Sequence, residues 1–278
     1  MFSKKPPIQT SATAQGDQKA SKKAQTKPDG RRENAVVTRA ALQKAGLALF
    51  GRVGFEASSV AQLCAAAGVT AGALYHHYGD KKGLFAAVAE ELDASLVARS
   101  NKAAASFLKR RLAEKAALQT AAISEQELAW QAFLAGVDEF LNHASKAEFR
   151  RIGLADAPAV LGLGEWNAIR ERHGIGNLTR ALAHLQAQGV VVAGDASAYA
   201  RLALGVMHGA VESVAAGSKS SPKSSPKSNP KANIAANIAA NTTANPKANL
   251  EANPKARAQL RQRVHAMLSG LRFSASFG

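Results

Sequence analysis

Apolar residues recur every three or four positions along most of the chain, and sustained alternation of apolar and polar residues is missing, so the pattern predicts helices rather than strands. A first helix is expected over about Ala35–Phe50, with Val37, Ala41, Ala45, Ala48 and Leu49 as its apolar stripe. Gly51 and Gly54 end it, and Phe55 follows as a plug for a small core. Ser58 and Ser59 are natural N-caps for a second helix bearing Val60, Leu63, Cys64 and Ala67. Gly68 breaks that helix where a sharp turn needs a residue without a Cβ. Thr70 then caps a third short helix whose buried side includes Ala73 and Leu74. Two short helices joined by such a turn form a helix-turn-helix, whose second helix lies in the DNA major groove.

Asp80 is the expected N-cap of a fourth helix, with Lys81 and Lys82 in its first turn. The helix dipole disfavours cations there, and a phosphate bound at that end reverses the argument. The helix continues through Leu84, Phe85, Val88, Leu92 and Leu96, and the alanine-rich residues 101–123 extend it or form another. Ser124 and Glu127 have capping-box spacing ahead of Leu128, Phe133, Leu134, Val137, Phe140 and Leu141. A short helix near Ala147–Ile152 and a turn at Asp156–Pro158 come next. A long helix over about Glu165–Gln188 follows, with a kink expected after His173 at Gly174 and Gly176. Asp195 caps a helix that runs to about Ala216.

Residues 217–255 switch to Ser-Pro-Lys and Asn-Ala repeats, a low-complexity composition that cannot build a core. A last amphipathic helix, about Arg257–Phe273, carries Leu260, Val264, Met267, Leu268 and Leu271. Loop length costs only about 0.6 kcal/mol per doubling, so the helices flanking the insert are expected to pack together. The chain thus divides into a disordered basic arm (1–33), a three-helix DNA-binding domain (34–80) and a second helical domain (81–278) interrupted by the 217–255 insert. The expected fold class is all-α.

Composition sharpens this reading by exclusion. Aromatics make up 5% of the 278 residues, and Cys64 is the single cysteine, which excludes an internal disulfide and a cysteine-rich metal site. Placed on the inner face of its helix, Cys64 is expected to be inert. His143, His173, His184 and His208 lack metal-site spacing on one helix. There is no Gly-rich phosphate loop and no recognisable Ser/His/Asp arrangement, so neither an enzyme nor a resident cofactor is expected. No apolar run reaches about 18 residues and no apolar core follows the N-terminal lysines, which favours a cytoplasmic, nucleoid-associated protein. The net charge of +16 is concentrated in the segments expected to be unfolded: residues 1–38 carry eight Lys/Arg against three Asp/Glu, and residues 217–257 seven against one. Basic tails attract phosphate without regard to sequence, which leaves an architectural DNA-binding role open.

The residues Gly54-Phe55, Ser58-Ser59-Val60, Ala66-Ala67-Gly68-Val69, Gly72, Leu74-Tyr75-His76-His77-Tyr78, Lys81 and Leu84-Phe85 resemble the DNA-binding domain of the TetR family of bacterial repressors. The segment from Ala155 to Gly164 and just beyond resembles, more weakly, the regulatory domains of many members. The resemblance implies that Thr70–His76 is the recognition helix, presenting Thr70, Ala71, Gly72, Tyr75 and His76 to the groove. Tyr75 and His77 match the family's phosphate-contacting aromatic and histidine, and Lys81 its phosphate-gripping lysine. Ser59 and Val60 lie where the family contacts backbone or bases. It further implies a homodimer formed by the last two helices, here through Leu202, Val206, Met207, Ala210 and Val214 with Leu260, Val264, Met267 and Leu271. An apolar or amphipathic small-molecule effector would bind among Trp130, Phe133, Phe140, Trp166, Ile169, His173 and Met207. The expected function is a ligand-responsive repressor on a palindromic operator.

Overall fold

Helices hold nearly all of the described residues, 29–118, 123–217 and 254–272, of this computed structural model, and the extended pairing among them is one bridge between Val191 and Arg272. The N-terminal unit comprises α1 (Asp29–Val53), α2 (Val60–Ala67) and α3 (Ala71–Tyr78). Its caps follow from local chemistry. Ser59 and Gln62 form a reciprocal capping box on α2, and Gly68 closes that helix at φ 67°. The Thr70 hydroxyl accepts the Ala73 N–H at 3.3 Å to start α3.

The inward face of α1 is formed by Leu42, Ala45, Leu49 and Phe50, rather than by a stripe including Val37 and Ala48. Val37 is 64% exposed, because α2 and α4 cover only the second half of α1. Phe50, Phe55 and Phe85 meet edge to face or tilted, with centroids 5.1–6.0 Å apart. α1 begins at Asp29, inside the segment expected to be a disordered arm; residues 1–28 and 218–253, which hold the rest of the arm and nearly all of the insert, lie outside the described residues.

α4 (Lys81–Leu118) is the longest element, and at 1.5 Å per residue its 38 residues span about 57 Å. The Asp80 carboxylate accepts the Gly83 N–H at 2.7 Å, which caps it. Gly83 is required on steric grounds, since a Cβ there would collide with the Tyr78 carbonyl. The first turns of α4 complete the N-terminal core through Leu84, Phe85 and Val88, and Leu96 enters a second core. Leu92 packs against both.

α5 (Glu125–Ala144), α6 (Ala147–Phe149), a π-helical turn (Arg150–Asp156), α7 (Ala157–Leu161), α8 (Leu163–Arg172), α9 (Gly174–Ala187), α10 (Ala196–Gly217) and α11 (Pro254–Ser269) complete the chain. Two expectations change here. Asp156 ends a π-helical turn rather than starting an open one. The long helix over 165–188 is two helices, broken at His173 (φ −116°, ψ −88°), where the N-terminus of α9 is met by the Asp93 carboxylate. The second core joins α4, α5, α9, α10 and α11 through Trp130, Phe140, Leu141, Leu182, Met207 and Val264. α10 and α11 do pack together within the chain, on either side of the insert.

Candidate nucleic-acid interface and interhelical cavity

The exposed side of α3 is small and flat. Leu74 is fully buried and ties the helix to the core, while Ala71, Gly72, Tyr75 and His76 face outward. Thr70 stands at its N-terminus, with its hydroxyl oxygen engaged by Ala73 and its own proton left for another acceptor. Tyr75 is 52% exposed, unusual for a tyrosine on so small a domain. His76 and His77 stack edge to face at 5.0 Å, with His77 half-buried. Gly72 has ordinary helical geometry, and a Cβ there would meet nothing closer than the Thr70 hydroxyl at 3.8 Å. Folding therefore places no demand for glycine at this position. Ser59 is exposed at the start of α2, and Val60 beside it is half-buried against the core.

Lys81 differs from the simple picture of a free phosphate-binding cation. Its Nζ donates to the carbonyls of Phe55 and Ser58, both at 3.0 Å, and lies 4.1 Å from the centroid of the Phe55 ring. It therefore braces the α1–α2 loop. The Tyr78 hydroxyl donates to the Arg39 carbonyl at 3.1 Å, and the Arg39 guanidinium lies over the Tyr78 ring at 5.9 Å. Arg39 thereby joins the basic groups flanking α3, a juxtaposition across 39 residues that no local motif encodes. Cys64 is buried, and desolvation pushes its thiol up.

A cavity of about 330 Å³ opens between α4, α5, α9 and α10. Phe133, Phe140 and Met207 line it, together with Val97, Leu178 and Leu204. Other residues expected there lie elsewhere. Trp166 and Ile169 are buried in the N-terminal core, because α8 packs back on α4. Trp130 stacks behind Phe133 at 5.4 Å under the Arg272 guanidinium. His173 Nε2 pairs with Glu90 Oε1 at 3.1 Å. One polar residue of the wall that no local pattern singles out is Asp93. It is 6% exposed and accepts the Gly174 N–H at 3.1 Å, and burial raises its carboxyl above the usual carboxylate range despite that bond and the nearby Arg170.

Two family models match the chain. Residues 42–88 match the bacterial regulatory proteins, tetR family, and residues 130–228 the tetracyclin repressor-like C-terminal domain. The chain belongs to the TetR family. It is therefore a transcriptional regulator of the DNA-binding, helix-turn-helix type, all-α in fold. A solved TetR-family transcriptional regulator from Pectobacterium atrosepticum is 27% identical, with a TM-score of 0.55, over 87% of this chain and 98% of its own. The structure described as a TetR-family regulator from Mesorhizobium loti has the same fold at 16% identity and a TM-score of 0.54, over 85% and 96% of the two chains. No curated protein matches the sequence. Among the described residues, no helix is long and apolar enough to cross a membrane, and no group of three His, Cys, Asp or Glu residues is placed to hold a metal ion.

The face expected to form a dimer is only partly outward. Leu202 and Met267 are 65% and 63% exposed, and Val206, Ala210 and Leu271 are half-buried. Leu260 and Val264 are 3% and 0% exposed, and Met207 is 1%. They form the seam inside the chain, since α10 and α11 must first bury a face against α5 and each other. The side chain of Val214 lies outside the described residues.

Proposed function

We propose that this regulator is a dimeric repressor that grips a roughly palindromic operator through Thr70, Ala71, Gly72, Tyr75 and His76 and is released by a small apolar or amphipathic effector. Ser59, Val60 and His77 hold the phosphate backbone beside α3, and Lys81 acts mainly by fixing the loop that carries Ser59. The observation that carries the reading is that one rigid helix, α4, forms part of both the helix-turn-helix core and the cavity wall. An effector that favours one setting of α4 then changes the spacing of two recognition helices in a dimer. Leu202 and Met267, exposed on neighbouring helices, supply the apolar contact between copies. A two-fold dimer presents two recognition helices to half-sites about one helical turn apart.

The test is a gel-shift titration on operator fragments recovered by binding-site selection. The reading requires a cooperative dimer complex that Tyr75→Ala abolishes and that a cavity ligand dissociates. Binding that ignores sequence and is unchanged in Tyr75→Ala would instead assign DNA affinity to the basic segments, an architectural role.

A further inference from the structure

We propose that the effector is an elongated, apolar amine that binds as its protonated form, with the ammonium on Asp93. The inference rests on the regulator reading above and specifies its ligand. The cavity follows α4 from Asp93 to Leu108, a distance of about 22 Å along the helix axis, so its volume is long and narrow. Its sides are apolar, built by Val97, Phe133, Phe140, Leu178 and Met207.

The polar groups define the charge of the guest. Among the described residues the lining holds two carboxylates, Asp93 and Glu125, one histidine, His184, and neither lysine nor arginine. Asp93 spends one oxygen, Oδ2, on the Gly174 N–H. The half-buried Arg170 acts on Asp93 at a distance but makes no ion pair with it; its Nη2 is directed to His208 Nδ1 at 3.4 Å. Two turns further along α4, the buried Ser100 Oγ has no hydrogen-bond partner, and Ser100 is among the residues that line the same cavity. An unpaired buried hydroxyl and a half-used buried carboxylate are each costly until a donor arrives. A carboxylate or phosphate ligand would meet like charge at Asp93 with no lysine or arginine in the lining to offset it, whereas an ammonium gains a charge-assisted hydrogen bond and the Phe133 and Phe140 faces.

Asp93 is also where the ligand acquires leverage. Its partner Gly174 opens α9, directly after the break from α8, and α8 carries Trp166 and Ile169 into the DNA-binding core. An ammonium drawing on Asp93 loosens the joint that sets α8 against that core.

The experiment compares octylamine, octan-1-ol and octanoate, one chain length with three head groups, by calorimetry on the full-length protein at pH 7, alongside Asp93→Asn and Ser100→Ala. Asparagine keeps an oxygen for Gly174, so the fold is retained. The inference expects octylamine to bind at least about tenfold more tightly than octanol, octanoate not to bind, and Asp93→Asn to erase the amine preference while octanol binding is kept. Ser100→Ala should weaken both amine and alcohol. Octanoate binding as well as the amine, an amine preference that survives in Asp93→Asn, or no binding of any probe would overturn it. A gel shift run in parallel separates the two levels. Octanol releasing DNA as well as octylamine would sink the amine class and leave the regulator reading standing. Octylamine bound through Asp93 without any effect on DNA would sink effector release and leave the site assignment standing.

Discussion

The carboxylate of Asp156 accepts the backbone N–H of Phe55 at 2.8 Å across 101 residues of sequence. One residue group away, Arg151 Nη2 donates to the Val53 carbonyl at 2.7 Å. The π-helical turn of the C-terminal half therefore holds the loop between α1 and α2 by its backbone. A π-helical turn is rare and is frequently found at functional positions. Asp156→Ala leaves the Phe55 N–H without its acceptor and should lower stability by about 1–2 kcal/mol, read as a fall in the thermal midpoint. Asp156→Asn, which keeps an acceptor oxygen, should recover most of the loss.

Lys81 and Tyr75 should separate structural from DNA-binding effects. Lys81→Ala removes the donor to the Phe55 and Ser58 carbonyls and should destabilise the protein by about 1–3 kcal/mol, with DNA affinity falling as a consequence. Tyr75→Ala removes an exposed ring and should shift the thermal midpoint by little while DNA affinity falls at least tenfold. Thermal melts and gel shifts on both variants check this.

Gly72 offers a complementary contrast. Nothing in the fold obstructs a Cβ there, and alanine is the better helix former by up to about 1 kcal/mol. Gly72→Ala should therefore leave stability equal or raised while weakening operator binding, because the methyl holds α3 away from the groove. Chemical denaturation beside a gel shift measures the pair of effects.

His208 makes stability depend on pH. Burial beside Phe140 and Phe149, with the Arg170 charge adding to it, pushes its imidazole down to about 3. The unfolded chain takes up this proton near pH 6.5, the folded chain only near 3. The contribution is thus fully present above about 6.5 and is lost as pH falls from there toward 3. His208→Gln should flatten that part of the stability profile, measured as thermal midpoint against pH.

The exposed apolar residues on the last two helices give a further outcome. Leu202→Glu with Met267→Glu places like charges where two copies are proposed to meet. Sedimentation should report monomers for the double variant and dimers for wild type, while Val264→Ala, a change in the interior, should act on stability.

The local grammar of the DNA-binding half was legible because each signal and its partner lie within a few residues. Ser59 with Gln62, Thr70 with Ala73, the left-handed Gly68 and Asp80 with Gly83 are all of this kind. What escaped depends on distant partners. The interruption after His173 is legible from Gly174 and Gly176, but what anchors it, the Asp93 carboxylate 81 residues from Gly174, leaves no trace in an apolar pattern. Trp166 and Ile169 read as cavity residues because aromatic and branched side chains suit either role; the direction in which α8 folds back decides between them. Leu260 and Val264 share a stripe with Met267, yet two helices that pack within the chain turn the first two inward and leave the third outside. Asp93 itself is one acid among several on α4, distinguished only by the burial that the fold imposes.

The most direct measurement is genome-wide footprinting of wild type beside Tyr75→Ala. Discrete, roughly palindromic sites in wild type that vanish in Tyr75→Ala are the predicted result, since the exposed face of α3 carries the recognition. Diffuse occupancy that is the same in both proteins would contradict the account.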